Sequence, residues 1–141
     1  MVLWKRDHGI AMQNKITKYS VKKLSDLAGV SVRTLHIYDE KGLLKPSERS
    51  KSGHRIYGRL EFKRLQKILF YKNLGFSLDE IKEMLFTTDW QRLKALRNQK
   101  ELLIHQFREQ EKRLHQIEEA IEKLSLENQL PYQQRLKKSA A

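Results

Sequence analysis

Residues 20–44, SVKKLSDLAGVSVRTLHIYDEKGLL, decide the fold class of this chain. Ser20 stands where a hydroxyl can accept from a free amide in the first turn of a helix. Val21, Leu24, Leu27 and Ala28 follow at helical spacing and predict one apolar face. Gly29 comes next, where a left-handed backbone costs glycine little. Val30 can pack back on the pair, Ser31 can cap a second helix with Leu35 and Tyr38 as its apolar side, and Gly42 ends that helix. Two short helices joined by a tight turn make a helix-turn-helix, with the second helix in the place of a DNA reader. Such pairs also serve as plain core elements, so this stretch alone leaves both readings open.

On the C-terminal side, Lys45–Gly58 (KPSERSKSGHRIYG) is punctuated by Pro46, Ser47, Ser50, Ser52, Gly53 and Gly58, and no helix persists through it. A β-hairpin with its tip near Ser50–Gly53 is the simplest reading. Arg49, Lys51, His54, Arg55 and Tyr57 supply it with phosphate donors. A basic hairpin directly after a helix-turn-helix makes a winged helix; an ordinary polar loop is the alternative. On the other side, Lys18–Val21 is expected to form a short strand. Residues 1–17 show no periodicity and are expected to be a flexible leader, with Met12 an alternative start.

Arg59–Leu74 predicts an amphipathic helix with Leu60, Phe62, Leu65, Ile68, Leu69 and Tyr71 inward. Gly75 closes it. Ser77 and Glu80 form a capping box for a second helix, Ser77–Leu85, that buries Leu78, Ile81, Met84 and Leu85. Phe62, Phe70, Tyr71 and Phe76 are read as core rather than as a ligand cage. Arg59, Lys63, Arg64 and Lys67 are possible extra phosphate contacts on this helical pair.

Residues 87–128 are organised differently. Leu93, Leu96, Lys100, Leu103, Phe107, Gln110, Leu114, Ile117, Ile121 and Leu124 follow the alternating 3–4 spacing of a heptad, without glycine or proline. That is a coiled-coil seam. A helix of about 38 residues spans on the order of 57 Å at ~1.5 Å per residue, too long for a small domain to cover. The economical partner is a second copy of the chain, with Lys100 and Gln110 available to set register. Asp89 is a candidate cap. Residues 129–141, broken by Pro131, are read as a tail from which Leu130, Tyr132 and Leu136 can pack on the dimer.

The formal net charge is +12 over 141 residues, and its placement matters more than its size. Residues 15–75 hold 15 Lys+Arg against 5 Asp+Glu, whereas residues 76–141 hold 12 against 11. A polyanion would meet the helix-turn-helix half first. No apolar run approaches the ~20 residues of a membrane span, and residues 1–11 lack the apolar core of a signal peptide. The absence of cysteine excludes disulfides and thiolate metal sites. Together these features lead us to expect a soluble, cytoplasmic protein. No nucleotide-binding or metalloprotease motif is present. His105 and His115 fall on different faces of the long helix, and His36 with Asp39 reads as a local hydrogen bond. No catalytic or metal site and no cofactor are expected.

TLHIYDEKGLLKPSERSKSGHRIYGRLEFKRLQKILFYKNLGFSLDEIKEML, residues 34–85, resembles the N-terminal domain of MerR-family transcription regulators. It is most similar to the TipA/Mta-like multidrug branch, whose pattern runs TLHHYDxxGLLxPSxRxxxGYRxY and then RLQxILFYxxLGFSLxEIKxxL. With the long helix included, the similarity covers roughly residues 18–124. The resemblance implies a mainly α fold: a winged helix-turn-helix, a helical pair (residues 18–86), and a long antiparallel coiled-coil dimerisation helix (residues 87–128). It implies a homodimer on a pseudo-palindromic operator in double-stranded promoter DNA. That DNA is bent and untwisted, so that RNA polymerase is reached indirectly, through the promoter, on the bacterial nucleoid. Carried over by position, Ser31, Arg33, Thr34, His36 and Tyr38 match the recognition helix; Arg33, able to donate bidentately to guanine, is the expected base reader. Arg55 and Tyr57 match phosphate-clamping wing residues, with Arg49, Lys51 and His54 nearby. Tyr38 stays open between phosphate donor and packed ring. The apolar heptad positions Leu93, Leu96, Leu103, Phe107, Leu114, Ile117, Ile121 and Leu124 are the expected dimer interface of that helix. Ile37 and His54 depart from the pattern, Ile37 standing for a polar or aromatic residue and His54 for the common wing tyrosine. Family members sense drugs or metals after the seam, where residues 129–141 are too few and hold no cysteine, so the small-molecule inducer is left open, between none and a chain cut short of its effector domain. An architectural or recombination accessory DNA-binding protein, and a coiled-coil protein-interaction module, are the alternatives.

Overall fold

The computed structural model describes residues 17–139, so the expected leader lies outside the described residues apart from Thr17. The chain forms two compact units that part between Phe86 and Thr87. In the first, β1 (Tyr19–Ser20) leads into α1 (Val21–Ala28) and α2 (Val32–Glu40). The hairpin strands β2 (Glu48–Arg49) and β3 (Arg55–Tyr57) follow, and then α3 (Arg59–Asn73) and α4 (Leu78–Phe86).

Local chemistry accounts for the joints. Ser20 Oγ accepts from the Lys23 amide at 3.1 Å, and Ser31 Oγ accepts from the Thr34 amide at 3.0 Å, so both helices of the turn begin on hydroxyl caps. Between them Gly29 takes a left-handed φ of 69°, a region that costs other residues more. Buried Ser25 adds a tie: its Oγ donates to the Val30 carbonyl at 2.6 Å, while its own carbonyl accepts from Gly29 and Val30. At the end of α2, Lys82 Nζ donates to the Lys41 carbonyl at 2.9 Å, which links α4 to this corner.

The hairpin turns where expected, with Ser50 donating its amide to the His54 carbonyl and Gly53 to the Ser50 carbonyl. The two-residue β1 does more than lead into α1. It pairs antiparallel with β3, Tyr19 opposite Tyr57, so the sheet order is β1-β3-β2. Tyr19 also meets Phe62 of α3, their rings 5.7 Å apart.

The core is Leu24, Leu35, Tyr38, Leu43, Leu44, Tyr57, Leu65, Ile68 and Ile81, all at most 2% exposed. Each such aliphatic side chain contributes about 1.5–3 kcal/mol by leaving water. Tyr71, Phe76 and Met84 close its edge. Leu27 and Leu60, expected inward, stand 43% and 77% exposed, and Phe70, expected in the core, is also exposed. Leu27 and Leu60 lie at the margins of their helical stripes, where neighbouring elements decide what is covered. The Ser77–Glu80 capping box is present, Glu80 accepting from the Ser77 amide and Ser77 from that of Glu80.

The second unit is α5 (Asp89–Gln129) and α6 (Tyr132–Ser139). The cap of α5 is Thr88 rather than Asp89: Thr88 Oγ1 accepts from the Gln91 amide, and Gln91 Oε1 accepts from the Thr88 amide. No residue of α5 is buried in the single chain. The expected tail is instead mostly helical. Pro131 has a φ suited to a first turn and lacks only a donor that such a position does not use, so it can start a helix as well as stop one.

Candidate nucleic-acid interface

The second helix of the turn, α2, sorts its residues by face. Leu35 and Tyr38 are locked in the core. Arg33, two positions before Leu35 and so roughly opposite it on a helix, is exposed together with Ser31. Thr34 and His36 are half-buried on the flanks. Ser31 Oγ lies 2.8 Å from Thr34 Oγ1 as well as capping the helix, so both hydroxyls are already engaged within the first turn.

Beside this helix stands the hairpin. Arg49, Lys51 and His54 are exposed along it. Ser52 Oγ lies 2.8 Å from His54 Nδ1, and Ser50 Oγ accepts from the His54 amide, so the tip is held by its own hydroxyls. Arg55 is less free than its expected role suggests. Its Nε donates to Asp39 Oδ2 at 2.7 Å, and its side chain is only 23% exposed. Arg49 Nη2 donates to the same oxygen at 3.4 Å. The local His36–Asp39 bond expected from spacing is replaced by these long-range partners from the wing. The Asp39 carboxylate holds Arg55 above the ordinary guanidinium range.

Two residues named for DNA contact face inward. Tyr38 is 2% exposed and Tyr57 is fully buried, the latter with its hydroxyl unpartnered among the described residues. Burial pushes both phenols up, and Asp39 adds to the effect at Tyr57. In this conformation the Tyr57 hydroxyl is enclosed, and the Tyr38 ring packs into the core with 2% of the residue left exposed.

The third basic group lies on the helical pair. Lys63, Arg64 and Lys67 of α3, with Lys45, rim an open groove of about 500 Å³ whose apolar lining is Leu60 and Leu85. Arg64 also lies over the Phe86 ring, 5.3 Å from its centroid. Among the described residues no cluster of three or more His, Asp or Glu is placed to hold a metal ion, and no helix is long and apolar enough to cross a membrane.

Residues 19–86 match the family model described as MerR HTH family regulatory protein, and residues 62–126 match the model described as MerR, DNA binding. The chain belongs to the MerR family. Among its MerR relatives is the HTH-type transcriptional activator mta of Bacillus subtilis, 51% identical over 87 residues. That match covers 62% of this chain but 34% of the relative, so the chain spans about a third of the activator's length. The crystal structure of MtaN, the N-terminus of the Bacillus subtilis multidrug transporter activator, superposes with a TM-score of 0.67 at 43% identity, over 73% of this chain and 97% of that one. HiNmlR, a MerR family regulator lacking the sensor domain and crystallised bound to promoter DNA, gives a TM-score of 0.57 at 28% identity, over 81% of this chain and 95% of that one. The winged helix-turn-helix with a long C-terminal helix is thus the family fold.

Arg33, named from the family resemblance, and Arg49 and Lys51, named from their place in the hairpin, are all exposed, whereas the sequence reading gave Asp39 only a local partner. It missed the wing partners of Asp39, because they lie 10 and 16 residues away in another element. It also missed Ser25 as the tie of the turn, since a serine inside an apolar pattern gives no signal of its own.

Proposed function

We propose that this chain is a sequence-specific, DNA-binding transcription regulator that acts as a homodimer on promoter DNA. One observation carries the reading. The face of α2 opposite the core presents Arg33 to solvent, next to a wing bearing Arg49, Lys51 and His54, on the half of the chain that holds 15 Lys+Arg against 5 Asp+Glu. Family membership and the promoter complex of HiNmlR support it.

In this reading residues 18–86 bind DNA, residues 87–128 pair with a second copy, and residues 129–141 extend beyond the pairing helix. Arg33 reads a guanine edge through two parallel hydrogen bonds. Arg49, Lys51, His54 and Arg55 hold phosphates and fix the register without reading sequence. Two such units on a rigid spacer address two half-sites of a pseudo-palindrome. Wings clamped on both sides can hold the intervening DNA bent and untwisted, with sequence entering there through deformability. Polymerase is then affected through the promoter, in the bacterial cytoplasm where promoter DNA lies.

Selection of bound sites from random duplex DNA, at a stated salt concentration, tests the proposal. Recovery of an inverted repeat with an uncontacted centre supports a dimeric regulator. Salt-sensitive binding with no enriched sequence favours an architectural protein instead.

A further inference from the structure

Asp39 sits in the last turn of α2 with its side chain 12% exposed. A single oxygen of its carboxylate accepts from Arg55 Nε on β3 at 2.7 Å and from Arg49 Nη2 on β2 at 3.4 Å. Arg49 Nη1 continues outward to the Gly53 carbonyl at the hairpin tip, 3.3 Å away. The recognition helix is therefore connected to both strands and to the tip of the wing through one carboxylate. Arg55 spends Nε on this bond, and its two Nη groups take no further hydrogen bond among the described residues.

On electrostatics alone, this carboxylate is badly placed. A negative charge between two arginines of a surface that meets a polyanion weakens attraction to every sequence alike. What it supplies is geometry. A charge-assisted bond at 2.7 Å fixes the Arg55 guanidinium plane and, through β3, the pose of the wing against α2. Fully buried Tyr57, the last residue of β3, anchors the same strand in the core.

We propose that Asp39 is a specificity-determining positioning residue. It clamps the wing to the recognition helix, so that phosphate contacts made by the wing and base contacts made by α2 fall in one register. The inference rests on the DNA-binding reading above. It separates two quantities that a purely stabilising residue would move together: affinity for the operator, which needs the register, and affinity for arbitrary duplex DNA, which needs only charge.

The test compares the full chain with its Asp39→Asn variant. Binding is measured to the operator selected by the wild type and to a random-sequence duplex of equal length, across one salt series, alongside a thermal melt. The expected result is a loss of about tenfold or more on the operator, the size of one charge-assisted hydrogen bond. Binding to random duplex should hold or strengthen, because the variant carries one negative charge fewer. An operator preference that stays within about twofold of wild type, on the scale where one wrong base pair costs more than that, would overturn the role of Asp39 alone. An equal fall on both duplexes, or loss of the cooperative melt, would make Asp39 a structural residue and overturn it too. A wild-type protein with no sequence preference would remove the regulator reading and this inference with it.

Discussion

At Tyr57, polarity and burial conflict. The hydroxyl has no hydrogen-bond partner among the described residues, and the side chain is wholly enclosed. A buried, unsatisfied polar group costs about 1–3 kcal/mol. Tyr57→Phe should therefore leave stability unchanged or raise it by on the order of 1 kcal/mol, as read from chemical denaturation. It should also leave DNA affinity untouched. If the variant binds all sequences more weakly, the ring leaves the core on binding and the phosphate-clamp reading returns. Arg33 is the opposite case, a long cation on the exposed face of α2. Arg33→Ala should lose ~1–3 kcal/mol at one base position and relax the preference there, as repeated site selection would show. An unchanged operator preference would end its claim to read a base.

Among the elements, the helix-turn-helix corner depends on few atoms. Gly29 supplies the left-handed backbone, and Ser25 closes the turn through the Val30 carbonyl. Ser25→Ala deletes a part-buried hydrogen bond and leaves that carbonyl without its hydroxyl donor, at a cost of about 1 kcal/mol. Denaturant midpoints of wild type and variant measure it, and an unchanged midpoint would show that the corner is held by its apolar contacts alone.

The same corner explains what was legible in the sequence. Caps, left-handed glycines and heptads are signals carried within a few residues, so Ser20, Ser31, Gly29, the Ser77–Glu80 box and the long helix could all be read directly. Asp89 was the cap expected for the long helix, although Gln91 stands three residues after Thr88, at the capping-box spacing that marks the actual cap. The rest depends on partners far along the chain. Leu60 has helical spacing but no neighbour to cover it, a two-residue β1 is too short to announce its pairing with β3, and Asp39 finds its arginines only once the wing has folded back on α2.

For the whole molecule, the long helix poses the largest unanswered demand. Along α5, Leu93, Leu103, Phe107, Leu114, Ile117, Ile121 and Leu124 are between 44% and 63% exposed in the single chain. They lie on one seam, with Leu96 half-buried among them. A 41-residue helix is roughly 60 Å long at ~1.5 Å per residue, and most helical stability comes from tertiary packing of an apolar face rather than from propensity. A second copy of α5 along that seam would bury these side chains, each contributing about 1.5–3 kcal/mol at full burial. Charged residues at two central positions should oppose this directly. Leu103→Glu combined with Leu114→Glu is expected to give a monomer in sedimentation at concentrations where the wild type is a dimer. Because residues 18–86 have their own core, the first unit should keep its fold. The monomer should bind DNA with a shallower salt dependence, since one unit displaces about half the counterions of two. It should also lose the requirement for a second, inverted half-site. A dimer that survives both substitutions would place the interface elsewhere. The two readings would then differ in the operator itself, because the spacing of its half-sites is set by whatever surface joins the two copies.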